Sequence, residues 1–227
     1  MPNTHQQWND ARQEGNPTRS VQMSRLIKAM RRFQTQRRGV ESSVRQPVTT
    51  SEFEQVMEAY WRADNKELGL CGAALTSFQL SMIGRLDDCS KFRLPELLSY
   101  SSYPDWCITA RLNWSKNVVD ERDCPNQVLM GAMDTRYDVL SNLGVWLEYH
   151  FELNPGENDF VFGYSGLDDP IRIKERLARQ LKDILLSDSF MAARAGLLGT
   201  HSVRKMAVTF ATGTGCTKVS FQLLSSV

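Results

Sequence analysis

Residues 196–218 read GLLGTHSVRKMAVTFATGTGCTK, and within them His201 and Arg204 stand three apart at the start of a helical pattern. Side chains at i and i+3 share one helix face, so an imidazole and a guanidinium there can reach one bound anion. Arginine offers a rigid fork of donors that matches two phosphate oxygens and keeps its charge, while histidine gives or takes a proton near neutral pH. A phosphodiester suits both. The same four residues, HSVR, also read as a capped helix terminus with a solvated arginine. The following ATGTGCTK lacks the GxxxxGK[ST] spacing and a preceding strand, so it is not a phosphate-binding loop.

Working outward, a second candidate lies in SMIGRLDDCSKF, residues 81–92, where Arg85 follows a glycine and Asp88 stands three residues later. An arginine beside a glycine can have its backbone held tightly while its side chain points into a cleft, with Asp88 to orient it. The plainer reading is a surface ion pair at a helix end.

The rest of the chain bounds the class. At 227 residues, 41% hydrophobic, with five Trp and ten Phe, it can bury a full core, and size allows one large domain or one domain with a smaller neighbour. No apolar run approaches the roughly 18–20 residues of a membrane span, and MPNTHQQWNDARQEG has no apolar core for a signal peptide, so the expected setting is intracellular, with no membrane partner. The five cysteines are spread singly, and His5, His150 and His201 add no metal-ligand spacing, so no metal and no small-molecule cofactor are expected. The formal net charge of +1 is uneven: residues 1–50 carry nine Lys or Arg against three acidic residues. Such a cluster fits an arm that contacts phosphates, and equally a solvated helix face.

Within that basic end, Met23, Leu26, Ile27, Met30 and Phe33 recur at helical spacing from Ser20 to Gly39, with Arg25, Lys28, Arg31 and Arg32 between them. These four are the candidate DNA-contacting cations. The polar connector ESSVRQPVTT follows, which divides the chain into residues 1–45 and 46–227. Thr49 with Glu52 fits a capping box opening a helix with Phe53, Val56, Met57, Tyr60 and Trp61 on one face. Further helices are predicted over Lys66–Ile83, Thr135–Phe151, Pro170–Met191 and Ser202 to about Ala211. Trp106–Trp114, WCITARLNW, alternates as a strand; QVLMGAM is its hairpin partner or a loop; and VFGYSGLDDP is a short strand and turn. Trp61, Trp106, Trp114 and Trp146 are expected in the core. The fold class is mainly α with a small β-sheet, α+β.

Together, GRLDD and HSVR resemble the two boxes of the tyrosine recombinase (phage-integrase-like) family, in order, separation and context. The entry QPVTTSEFEQVMEAYW is similar too, and the wording of GRLDDCSKFRLPEL, VLMGAMDTRYDVLSNLGVWLE and THSVRKMAVTFATGTGCTK looks closest to recombinases of eukaryotic mobile elements. The resemblance covers roughly Arg19 to Lys218. It implies an integrase-like catalytic domain in which Arg85 and Arg204 clamp the scissile phosphate and neutralise the pentavalent transition state. His201 would assist proton transfer. A hairpin lysine would protonate the leaving 5′ oxygen; Lys116 is the best match, with Lys91 open. The partner implied is double-stranded DNA, bound as a homo-oligomer, in the nucleus if the source is eukaryotic.

The family's nucleophile is a tyrosine downstream of the His-x-x-Arg box. The six tyrosines, Tyr60, Tyr100, Tyr103, Tyr137, Tyr149 and Tyr164, all precede His201. The expectation is therefore a catalytic domain incomplete at its C-terminus, with residues 1–45 a remnant of a core-binding domain, that binds DNA but does not cleave it. The alternatives are an active recombinase in a longer product or with tyrosine supplied in trans, and a regulatory protein on a degenerate scaffold.

Overall fold

The computed structural model describes residues 9, 12, 20–38, 46–111, 126–153, 159–163, 170–187, 190 and 198–213, with no side-chain description for 31–38 and 170. The chain divides into two compact units, residues 1–44 and 45–227. Lys116 and Trp114 lie outside the described residues.

In the first unit, the Ser20 hydroxyl accepts the Met23 backbone N–H at 3.1 Å and caps α1, Val21–Arg38. The predicted apolar row is there, but Met23, Leu26, Ile27 and Met30 are all exposed. Arg25 and Lys28 are exposed beside them.

The second unit is built around one helix buried on nearly every side. α2, Thr50–Trp61, opens with the predicted capping box: Thr49 Oγ1 accepts the Glu52 N–H at 3.2 Å and Glu52 Oε2 accepts the Thr49 N–H at 2.7 Å. α3, Lys66–Ser81, starts at Asn65, whose Oδ1 accepts the Leu68 N–H at 2.9 Å. Residues 71–79 are buried throughout, so the helix forms a wall between two apolar clusters. Phe78, Met82, Phe92, Trp146 and Phe162 fill one; Phe53, Met57, Leu181, Val203 and Met206 fill the other. Each fully buried side chain of this size stabilises the unit by about 1.5–3 kcal/mol. α2 and α3 approach so closely at Gly69 that a Cβ there would lie 2.4 Å from the Tyr60 carbonyl oxygen, so only glycine fits.

After α3 the chain makes one turn of helix, α4 (Leu86–Cys89), then a 3-10 turn and an antiparallel sheet in order β1 (Leu97–Ser99), β2 (Cys107–Ala110), β3 (Gln127–Met130). Leu98 opposes Thr109, and Thr109 opposes Val128. β3 alternates, with Gln127 and Leu129 buried and Val128 and Met130 exposed. QVLMGAM is thus the hairpin partner. Phe160 makes an isolated bridge with Arg93, and Val161–Phe162 turn into the core beside it.

Among the described residues three further helices follow: α5 (Val139–Leu153), α6 (Pro170–Leu185) and α7 (Thr200–Gly213). α5 starts four residues later than its periodicity predicts because Asp134 holds a preceding turn. Its carboxylate accepts the Arg136 backbone N–H at 3.0 Å, and its backbone carbonyl accepts the N–H groups of Tyr137 and Asp138. α6 ends six residues early, where the Ser187 hydroxyl donates to the Ile184 carbonyl at 2.8 Å. Trp106 corrects a second expectation: it is 74% exposed, because the turn from Tyr100 to Trp106 carries it clear of the sheet. Trp146 is buried as expected, its Nε1–H donating to the Val161 carbonyl at 2.6 Å. Among the described residues no helix is long and apolar enough to cross a membrane.

Candidate functional site

Arg85 owes its position to the way α3 ends. The Gly84 N–H donates to the Gln79 carbonyl at 3.2 Å and the Ile83 N–H to the Leu80 carbonyl at 3.3 Å, the paired bonds of a Schellman cap. The left-handed position of that cap is Ile83, at φ 50°, and the glycine follows it. The next residue, Arg85, is extended and serves as N-cap of α4, its carbonyl accepting the Asp88 and Cys89 N–H groups at 3.1 and 2.9 Å. Leu86, Asp88 and Cys89 turn inward and are buried.

Arg204 arrives from the other side. α7 is anchored at its first turn: the Gly199 N–H donates to Ser202 Oγ at 3.0 Å, the Val48 N–H to the Ser202 carbonyl at 3.2 Å, and the buried Gln79 amide to the Thr200 carbonyl at 3.0 Å. This last bond ties the end of α3 to the start of α7. Ser202, Val203, Met206 and Ala207 face the core, Arg204 is half-buried at the edge of that face, and His201 is exposed one turn before it.

The charge of Arg85 acts on Arg204. Burial holds the Arg204 guanidinium below its ordinary basicity, and the like charge of Arg85 pushes the same way, while Asp88 and Cys89 act against both. Cys89 is wholly buried, and desolvation pushes its thiol well up, with Asp88 adding to the shift and Arg204 opposing it. Arg85, Asp88, Cys89 and Arg204 therefore share one neighbourhood. Two arginines in one partly buried neighbourhood make a place where an anion would lower the energy of both.

The remaining sequence candidates fall elsewhere. Lys116 belongs to the connection between β2 and β3, outside the described residues. Lys91 is not on the hairpin; it follows α4 and its Nζ donates to Asp87 Oδ2 at 2.8 Å. Arg136, an arginine near the start of α5, is bound to Asp134 at 2.7 Å and Glu54 at 2.9 Å. Arg25, Lys28, Arg31 and Arg32 lie on α1 in the other unit. Gln79 is the residue that sequence reading missed. Its one signal is a long polar side chain in an otherwise apolar helical run. An apolar groove of about 560 Å³ lies between α3 and α7, lined by Leu80, Ile83, Tyr137, Met206 and Phe210 with no charged side chain, so it is suited to hydrocarbon and not to phosphate. Among the described residues no His, Cys, Asp and Glu cluster that would hold a metal.

No family model matches the chain, and no curated protein matches it. Among solved structures it is similar to lambda integrase, in the crystal structure of a lambda integrase tetramer bound to a Holliday junction, with a TM-score of 0.50 and 13% identity. The match covers 89% of this chain and 56% of that one, so this chain spans little more than half the length of its structural neighbour. At that identity the likeness is one of architecture: a mostly helical unit with a small three-stranded antiparallel sheet, similar in fold to an integrase.

Proposed function

We propose that the chain is a tyrosine-recombinase-like domain that binds double-stranded DNA and grips one backbone phosphate between Arg85 and Arg204. What supports this reading is that Arg85 and Arg204 lie in one partly buried neighbourhood, close enough for the charge of one to act on the other, in an architecture similar to an integrase. In this reading His201 lies within reach of the same phosphate, Asp88 steadies the arginine pair, and Lys116 comes from the β2–β3 connection to protonate a leaving oxygen. Arg25, Lys28, Arg31 and Arg32 add backbone contacts from α1, whose unit corresponds to part of a core-binding domain. The work would be done where DNA is, in the nucleus if the source is a eukaryotic mobile element, and it calls on no metal and no small-molecule cofactor.

The phosphate clamp supplies electrostatic stabilisation, and cleavage by this route further requires a tyrosine aimed in line with the scissile bond. All six tyrosines of these 227 residues precede His201. These residues alone are therefore proposed to bind DNA without cleaving it. The tetrameric assembly of the structural neighbour favours one second reading, in which copies associate on DNA and the tyrosine comes from another protomer.

The test is fluorescence anisotropy of a labelled duplex, at two salt concentrations, with the wild type and with Arg85→Ala/Arg204→Ala. Binding should weaken steeply with salt, and loss of two phosphate contacts should lower the slope of log K against log[salt] by about 1.8. Wild-type binding that ignores salt, no binding at low salt, or a double variant that binds like wild type would each sink the proposal.

A further inference from the structure

A single turn of helix does not hold itself together, because nucleation costs more than one turn of hydrogen bonds returns. α4 has four residues, and Arg85 is its N-cap. Three of the four face the core; Asp87 does not. Each of its carboxylate oxygens takes one ammonium group: Lys91 Nζ donates to Oδ2 at 2.8 Å and Lys174 Nζ donates to Oδ1 at 3.0 Å. Lys91 lies one turn further along and adds only local support. Lys174 stands on α6, so its bond reaches across 87 positions of sequence to tie the outer side of α4 to a helix packed in the core. The two lysines hold the Asp87 carboxyl below the usual carboxylate range.

We infer that Asp87 is a positioning residue, which with Lys91 and Lys174 braces α4 against α6 and so fixes where Arg85 stands. The inference rests on the DNA-binding reading for its consequence and on the ion-pair geometry for its substance. The side chains of Asp87, Lys91 and Lys174 are 46%, 31% and 34% exposed, so the brace is wet, and exposed pairs of this kind contribute little to global stability. Its effect is local: the brace limits the opening of one turn and leaves the helices on either side as they were.

Cys89, wholly buried at the other end of the same turn, reports that opening directly. The full chain is treated with a thiol reagent, and modification of each cysteine is followed by peptide mass mapping in wild type, Asp87→Asn and Lys174→Gln. Cys89 should react about threefold to tenfold faster in both variants, the range expected for losing one or two partly exposed pairs. The buried Cys71 and Cys107 should keep their rates. Asp87→Asn and Lys174→Gln change the local charge in opposite senses, so a rise in both cannot come from a shift in the thiol's own ionisation. Unchanged Cys89 labelling, or equal acceleration of all three thiols, would overturn the brace.

The second arm is duplex binding. Asp87→Asn removes a negative charge, which on its own would strengthen binding to DNA. The brace predicts about threefold to tenfold weaker binding instead, recovered by Asp87→Glu, and no further loss when Asp87→Asn is added to Arg85→Ala. Tighter binding by Asp87→Asn, or an equal loss in the Arg85→Ala background, would show that Asp87 does not act through Arg85. If the wild type binds no DNA while Cys89 still responds, the brace stands and the DNA reading falls.

Discussion

Arg204 stands one turn into a fourteen-residue helix whose phase is set by its own apolar residues, whereas Arg85 stands at the lip of a four-residue helix behind a left-handed isoleucine. The first arm of the site is held within regular structure; the second depends more on contacts beyond its own turn, the inward Leu86 and Cys89 and the ion pair from Asp87 to Lys174. The contrast teaches that a pair of residues can meet in space with only one of them placed by local sequence. It also makes the second arm the more sensitive to substitution.

The largest effect that would sharpen this contrast is expected at Phe78, buried on α3 and packed edge-on against Phe92, 4.9 Å away, and Phe162, 5.4 Å away. Phe92 follows α4, so Phe78→Ala removes the floor under the Arg85 arm. A loss of about 3–5 kcal/mol in urea unfolding is expected, and a loss below about 1 kcal/mol would break the contrast. Next comes Gln79→Ala, which leaves the Thr200 carbonyl without its amide donor and unties the two arms. It should cost about 1–2 kcal/mol, with faster hydrogen exchange in the first turn of α7, and no change in that turn would mean that the arms are aligned by packing alone.

The smallest effect serves as a control away from both arms. His150 is buried on α5, and burial holds its imidazole below the ordinary value, so the unfolded chain binds a proton that the folded chain resists. Stability should then fall as pH drops through about 6.5, by at most about 0.7 kcal/mol between pH 7 and pH 6, and keep falling until the folded imidazole itself titrates. His150→Gln should flatten that slope in urea titrations at several pH values while leaving duplex binding unchanged. A slope that survives the substitution would place the pH dependence elsewhere.

Much of the architecture is legible because its signals are local. The Thr49 and Glu52 capping box, the β-rich run that becomes β2, and the helical period that opens α7 each sit within a dozen residues. α4 and β1 escape because four and three residues are too few for a period to appear. α5 misleads because Asp134 closes a turn inside an apolar pattern that continues through it. The site divides in the same way. HSVR and GRLDD stand in the sequence as words, but the bonds that tie their surroundings into the fold, Gln79 to Thr200 and Asp87 to Lys174, span 121 and 87 positions. Nothing in either neighbourhood of sequence names the other end.

Ile83 has a consequence for the order in which this molecule assembles. A β-branched residue in the left-handed region costs about 1–2 kcal/mol, and an isolated chain turns there at glycine far more readily. The bend before Arg85 is therefore expected to form only once α3 has docked and the Ile83 side chain has apolar neighbours, late in folding. In pulsed hydrogen exchange during refolding, the amides of Gly84 and Cys89 should gain protection after those of α3, and simultaneous protection would refute the order. In the DNA-binding reading proposed above, Arg85 would then reach its place after Arg204 has reached its own.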